Sequence, residues 1–216
     1  MNLIKYILDL VFPPICISCN KVLYIDEKLP FCKECYKEIV EAKRDAIKDL
    51  GNRNVDKCYF LYSYKNEKVQ QMVFHAKNVF SKKFAEYFRK EIEASLKEHN
   101  LIDKLDLIVF VPRDRSGKRK YGFDQAEELA KETSSATGIP YESIIKRVGK
   151  AKKQKFLKAE ERIENVKNKF TTKGNVIDKS ILVVDDVVTT GATVCEIARI
   201  LKENGAKSIY VFTLAG

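Results

Sequence analysis

Residues 181–195 read Ile-Leu-Val-Val-Asp-Asp-Val-Val-Thr-Thr-Gly-Ala-Thr-Val-Cys, and this stretch decides the fold. Four consecutive apolar residues, Ile181 to Val184, have the composition of a strand covered on both faces. The strand ends in two carboxylates, Asp185 and Asp186. A loop with Thr189, Thr190 and Gly191 follows. Amphipathic spacing from Thr193 to Glu203 predicts a helix, with Gly205 at its end. Ligands of open α/β sheets bind at the carboxyl ends of strands, where this loop lies. Gly191 lets the backbone approach closely. The amides of residues 189–193, including Ala192 and Thr193, sit at a helix N-terminus and form a seat for a phosphate. Asp185 and Asp186 can accept hydrogen bonds from vicinal hydroxyls, as a carboxylate does from a ribose. A sugar phosphate meets both conditions. The competing reading is an aspartate pair beside an ordinary capped turn, and the match of the whole string favours the ligand. A nucleoside-triphosphate P-loop and a dinucleotide fingerprint are excluded, because neither glycine pattern is present.

The alternation continues outward. Leu107–Val111 is a second run buried on both faces, and Phe123–Thr137 reads as a helix that Gly138 ends. Ile209–Leu214 and the aromatic-rich Cys58–Tyr64 read as strands. Residues 67–79 and 82–98 have helical spacing, with Phe84, Tyr87, Phe88, Ile92 and Leu96 on one stripe. These elements predict an α/β fold with a largely parallel sheet and helices on both faces. Tyr59, Phe60, Tyr62 and Tyr64 alternate as strand residues do. They are either core and rim or a strip on which bases stack. His75 reads as a packed or surface histidine, and His99 as an exposed one at a polar helix end.

The chain has 216 residues, 45% of them hydrophobic and 32% charged, which suits a globular protein and excludes a disordered or collagen-like one. Apolar runs such as Leu107–Val111 fall far short of the roughly 18–20 residues of a membrane span, so no stable membrane insertion is expected. The net charge of +10 points to an anionic partner. It is concentrated in two tracts. Residues 113–120 carry five basic side chains and one acid, and residues 146–158 carry seven basic side chains and no acid. The stretch 146–165 is polar and weakly periodic and reads as a mobile loop.

Cys16, Cys19, Cys32 and Cys35 form two C-x-x-C pairs separated by residues 20–31. This spacing is that of a zinc site, and four sulfur ligands leave no open position, so the metal is expected to be structural. Two disulfides or a redox pair are the competing reading. No signal peptide is recognised, so a cytoplasmic, reducing location is expected, where disulfides are rare. Residues 3–11 have the spacing of a short amphipathic helix, stopped by Pro13-Pro14. The turn-rich stretch Asp49–Asn54 marks a boundary between a module at 1–50 and a domain at 51–216. Cys58 and Cys195 lie in apolar surroundings and read as buried thiols.

The string 181–193 resembles the phosphoribosyl pyrophosphate (PRPP) signature of type I phosphoribosyltransferases. Residues 109–130, with Val-Pro at 111–112 and Tyr121-Gly122-Phe123-Asp124-Gln125 before a helix, are similar to the ComF family. That family usually has Arg at the position of Tyr121 and Asn at that of Asp124. The closing Phe-Thr-Leu-Ala-Gly and the four-cysteine module fit the same family. The resemblance implies a type I phosphoribosyltransferase fold with a small N-terminal zinc ribbon. It implies that Asp185 and Asp186 bind the ribose hydroxyls and are the carboxylates any catalysis would use. Thr189, Thr190, Gly191, Ala192 and Thr193 would wrap the 5-phosphate. Pro112, Arg113, Asp114 and Arg115 would form the pyrophosphate loop, and Mg²⁺ would arrive with PRPP. Lys150, Lys152, Lys153, Gln154, Lys155 and Arg162 would lie on a flexible loop closing over the site or touching nucleic acid. The acceptor would be recognised within residues 55–80. Two functions follow. One is a PRPP-binding protein of DNA uptake in natural transformation, with single-stranded DNA and uptake proteins as partners. The other is an active phosphoribosyltransferase with an unidentified acceptor.

Overall fold

The strand–loop–helix unit read from residues 181–203 lies at the middle of the molecule. The computed structural model describes residues 13–23, 30–76, 82–113, 122–148 and 166–216. Its helices are α1 (Lys33–Glu41), α2 (Glu67–Ala76), α3 (Lys82–Glu98), α4 (Gln125–Thr137) and α5 (Ala192–Glu203). Its strands are β1 (Lys43–Lys48), β2 (Lys57–Tyr62), β3 (Leu107–Phe110), β4 (Ile145–Arg147), β5 (Phe170–Thr172), β6 (Ser180–Val187) and β7 (Ser208–Ala215).

Five strands form the main sheet in the order β1-β2-β7-β6-β3, while β4 and β5 pair antiparallel as a separate ribbon. β2, β7, β6 and β3 are parallel, and β1 is antiparallel to β2. The sheet is covered on both faces, which is why β3 and β6 read as unbroken apolar runs. Leu182 and Val184 of β6 point into one core with α2, α3 and α4. Ile181 and Val183 point into the other, with α5 and the ribbon. The predicted α3 stripe is real: Phe84, Phe88, Ile92 and Leu96 are fully buried, each contributing about 1.5–3 kcal/mol of hydrophobic free energy.

The outer edge of β3 is occupied. Ile108 N–H donates to the Pro140 carbonyl at 2.9 Å, Glu142 N–H donates to the Ile108 carbonyl at 2.9 Å, and Tyr141 bridges Ile108 in parallel. The chain therefore leaves β3 over α4, on one face, moving away from β6. It leaves β6 over α5, on the other face, toward β7. The winding reverses between β3 and β6, and their carboxyl ends flank the crevice where open α/β sheets bind ligands.

Several expectations are refined. β6 continues through both aspartates to Val187, because β7 still pairs there: Asp185 with Thr213 and Val187 with Ala215. α4 starts at Gln125 because Asp124 caps it, accepting from Ala126 N–H, and Gly138 ends it in the left-handed conformation at φ 76°. β1, β4 and β5 are strands the sequence did not announce. Lys146 and Arg147, expected in a loop, belong to β4. β1 precedes residue 50 yet pairs with β2 beyond it, and Cys16, Ile17, Phe31, Cys35 and Ile39 share a core with α2–α4. His99 is not exposed. It is half-buried, stacks on Tyr59 at 4.7 Å between ring centroids, and lies 3.3 Å from the Asp45 carboxylate. Tyr59 and Tyr62 are buried and Phe60 and Tyr64 half-buried, the core-and-rim arrangement; Tyr62 and Tyr87 hydroxyls meet at 3.2 Å. The predicted helix at 3–11 lies outside the described residues. Among the described residues no helix is long and apolar enough to cross a membrane.

Candidate functional site

At the end of β6 the backbone turns sharply. Val188 N–H donates to the Ala215 carbonyl at 2.9 Å, which fixes the start of the loop. Thr189 and Thr190 are exposed beyond it. Gly191 takes φ 76° and is the N-cap of α5, with Cys195 N–H donating to its carbonyl at 2.9 Å. A left-handed residue here reverses the chain within one step, which glycine does without steric cost. The Thr190 hydroxyl lies 3.4 Å from Ala192 N–H and accepts from it. Thr193 is half-buried on the first turn. The two aspartates are half-buried, and Asp185 Oδ1 accepts from Asp186 N–H at 2.8 Å. The close approach foreseen at Gly191 is made to the protein itself: a Cβ there would lie 2.9 Å from Leu50 Cδ2.

β3 supplies the second wall. Val111 N–H donates to the Val184 carbonyl at 3.0 Å, which carries the β3–β6 ladder to the crevice. Pro112 and Arg113 follow, both half-buried. Asp124 is buried and bridges this turn to α4. Its Oδ2 accepts from Arg113 N–H at 2.7 Å and its Oδ1 from Ala126 N–H at 3.2 Å. The structure thus brings Pro112 and Arg113 beside Asp185 and Asp186. Asp114 and Arg115, and Lys150, Lys152, Lys153, Gln154, Lys155 and Arg162, lie outside the described residues. Of the proposed acceptor region, Lys57–Tyr62 forms β2 and Glu67–Ala76 forms α2.

Two participants were not foreseen. Lys48, at the end of β1, donates from Nζ to the carbonyls of Val188 (3.2 Å) and Thr189 (2.8 Å). Nothing in the sequence marks a contact between residues 140 apart. Asp124 had a visible signal, since Asp124 followed by Glu127 is a capping pattern.

The four cysteines meet. Their sulfur atoms lie within 4.8 Å of one another, and Cys19 Sγ and Cys32 Sγ are 3.8 Å apart. A tetrahedron with metal–sulfur bonds of about 2.3 Å has edges of about 3.8 Å, so the set fits one ion and is far too open for a disulfide. All six cysteines are free. The first knuckle is closed by Asn20 N–H donating to the Cys16 carbonyl at 2.9 Å. In the second, Cys32 is the N-cap of α1 and Cys35 lies in its first turn. α2 holds the first knuckle in place. The Ser18 hydroxyl donates to the Lys68 carbonyl at 3.1 Å, and His75 contacts the Ile17 carbonyl at 3.1 Å and Asn20 Nδ2 at 3.2 Å. His75 is therefore a docking residue. Outside the cluster, Cys58 is buried as expected, whereas Cys195 is only half-buried; burial pushes their thiols up to about 12 and about 11.

Residues 111–216 match the phosphoribosyl transferase domain family. Competence protein F of Haemophilus influenzae is 27% identical over 210 residues, 93% of this chain and 90% of that protein. DNA utilization protein YhgH of Escherichia coli K12 is 37% identical over 110 residues, 50% of this chain and 48% of its own length. Competence protein ComFC of Streptococcus pneumoniae is 30% identical over 143 residues, 62% of this chain and 54% of that protein. The chain thus matches nearly all of the first relative and about half of each of the other two. Among solved structures, the purine phosphoribosyltransferase of Pyrococcus horikoshii aligns over 58% of this chain and 68% of its own, with 24% identity and a TM-score of 0.34.

Proposed function

Residues 111–216 form a phosphoribosyl transferase domain in a chain homologous to competence protein F and ComFC, and from that premise we propose that the protein binds PRPP and handles single-stranded DNA during DNA uptake. The observation that carries the reading is the crevice between β3 and β6. Two half-buried aspartates there precede a glycine-capped helix N-terminus and face a turn containing Arg113. The 5-phosphate sits on the amides of residues 189–193, with the hydroxyls of Thr189, Thr190 and Thr193 beside them. The positive end of the helix dipole favours it there. Asp185 and Asp186 accept from the ribose hydroxyls. Arg113 and Arg115 face the pyrophosphate together with Pro112 and Asp114, and Mg²⁺ is held chiefly by pyrophosphate and ribose oxygens.

The cysteine cluster holds Zn²⁺. With four thiolates it has no open position and serves to fold residues 13–23 and 30–42 onto α2. The relatives' names supply the DNA-related role. The tract 146–158, with seven basic residues and no acid, supplies cations for phosphate contact. A cytoplasmic location is part of the same reading.

Calorimetric titration of the zinc-loaded protein with Mg²⁺–PRPP tests the site. Saturable binding that Asp186→Asn abolishes is the expected result, and unchanged binding by the variant refutes the assignment. For DNA, neutralising Lys150, Lys152, Lys153 and Lys155 together should weaken single-strand binding and flatten its dependence on salt. An unchanged salt slope would refute that placement.

A further inference from the structure

We propose that Lys48 is a positioning residue for the phosphate seat, so that the N-terminal edge strand is a working part of the PRPP site. The inference rests on the reading of residues 189–193 as that seat. Lys48 Nζ donates to two successive carbonyls, Val188 at 3.2 Å and Thr189 at 2.8 Å, across 140 and 141 residues of sequence. In a planar trans peptide the C=O and the next N–H point in opposite directions. A cation that holds the Val188 and Thr189 carbonyls therefore turns the N–H groups of Thr189 and Thr190 away from β1. These two donors open the loop that the phosphate occupies.

A second contact from the same strand end acts one step later. Leu50 lies so close to Gly191 that a Cβ there would come within 2.9 Å of it, at the residue whose φ of 76° turns the loop into α5. Lys48 and Leu50 thus grip the loop on both sides of Thr190. The ammonium also adds a positive charge behind an anion seat. β1 itself follows α1 directly, and α1 begins at the ligands Cys32 and Cys35. The metal-bearing module is tied to the phosphate loop by this route.

The test uses the metal-loaded full chain and three probes: Mg²⁺–PRPP, ribose 5-phosphate for the phosphate seat, and inorganic pyrophosphate for the opposite wall. Lys48→Met should weaken ribose 5-phosphate and PRPP by about tenfold, the scale of lost hydrogen bonds from a charged donor. Pyrophosphate affinity should stay within about twofold, and Lys48→Arg, which keeps charge and donors, should restore most of the loss. Unliganded Lys48→Met should also exchange the hydrogen-bonded amides that bracket the loop, Val188 and Cys195, faster than the wild type. Equal ribose 5-phosphate affinity and equal exchange in the two proteins would overturn the proposal, as would a parallel loss for pyrophosphate. If the wild type binds neither sugar phosphate, the reading of the site as a PRPP seat fails. The exchange rates then decide the positioning role alone: faster exchange upholds it and unchanged exchange overturns it.

Discussion

Gly191→Ala and Gly138→Ala place the same side chain on the same backbone in two different surroundings. Both glycines have φ +76°, but a Cβ at Gly138 meets nothing within 4 Å, while one at Gly191 comes within 2.9 and 3.3 Å of the two Leu50 methyls. Holding an L-residue in the left-handed region costs about 1–2 kcal/mol. For a chain of this size each kcal/mol lowers the melting temperature by about 2–4 °C. Gly138→Ala should therefore melt about 2–8 °C below the wild type. Gly191→Ala carries the same conformational cost and must also displace Leu50. That side chain is half-buried and can rotate, at an off-rotamer cost of about 0.5–1.5 kcal/mol. Gly191→Ala should thus be less stable than Gly138→Ala by about 1 kcal/mol. Leu50→Ala added to Gly191→Ala should remove that extra loss, giving a favourable coupling of the same size in a double-mutant cycle. Urea unfolding with the metal held saturating reads all four proteins. Equal stability of the two glycine variants, or strict additivity of Leu50→Ala, would refute the argument that Leu50 presses on the loop. In titrations, Gly138→Ala should retain PRPP affinity and Gly191→Ala should lose it.

Asp124 uses separate oxygens for Arg113 N–H and Ala126 N–H. Asp124→Asn offers one oxygen and turns an NH₂ toward the other donor, so it should destabilise by about 1–3 kcal/mol in urea unfolding; wild-type stability would sink the two-oxygen bridge. Glu196 is held below the ordinary carboxylate value of 4.5 by its hydrogen bond from Arg199, and Asn168 N–H assists. Because its folded value is depressed, its stabilisation is present above about pH 4.5 and lost as pH falls through that lower value. Thermal scans across this range should show a weaker acid dependence for Glu196→Gln than for the wild type, and identical profiles would contradict the pairing. Chelation of the metal should deprotect backbone amides of residues 30–42 in hydrogen exchange and leave α5 and β7 protected. Protection of 30–42 that survives metal loss would show that the module packs without its ion. Cys58 is fully buried, and burial pushes its thiol up to about 12. It should resist alkylation until the protein unfolds, and rapid labelling would contradict its burial.

The parts of the site carried by continuous sequence were legible. β3 and β6 announced themselves because a strand covered on both faces must be apolar throughout. The turn that carries β6 into α5 did so because strand, turn and helix start lie within thirteen consecutive residues. The cysteine cluster was readable from spacing, since each C-x-x-C closes its own knuckle. β1 was not readable. Its sequence, Lys-Arg-Asp-Ala-Ile-Lys, is mostly charged, and an edge strand kinked by a register shift between Lys43 and Ala46 needs no apolar alternation. β4 and β5 are three residues each, too short for a period to show. His99 looked exposed because its helix end is polar, yet Asp45 on β1 and Tyr59 on β2 draw it in. Lys48 escaped notice for the same reason as β1: its partners are backbone carbonyls, which leave no trace in side-chain identity.

β7 lies between β2 and β6 and pairs in parallel with both. At the start of β2 the join is reciprocal. Asp56 N–H donates to the Ile209 carbonyl at 2.8 Å, and Ile209 N–H returns to Asp56 Oδ2 at 2.7 Å, across 153 residues. A ribosome therefore exposes β2 long before its partner exists. β1–β2 and β3–β6 can pair within themselves, but each presents a bare inner edge until β7 is threaded between them. Contacts of such long range make folding slow, and unpaired edges are where misassembly starts. The waiting time falls on the nascent chain, so early metal capture by the cysteine knuckles, which span only residues 16–35, would give the growing polypeptide one closed unit while the sheet is still open.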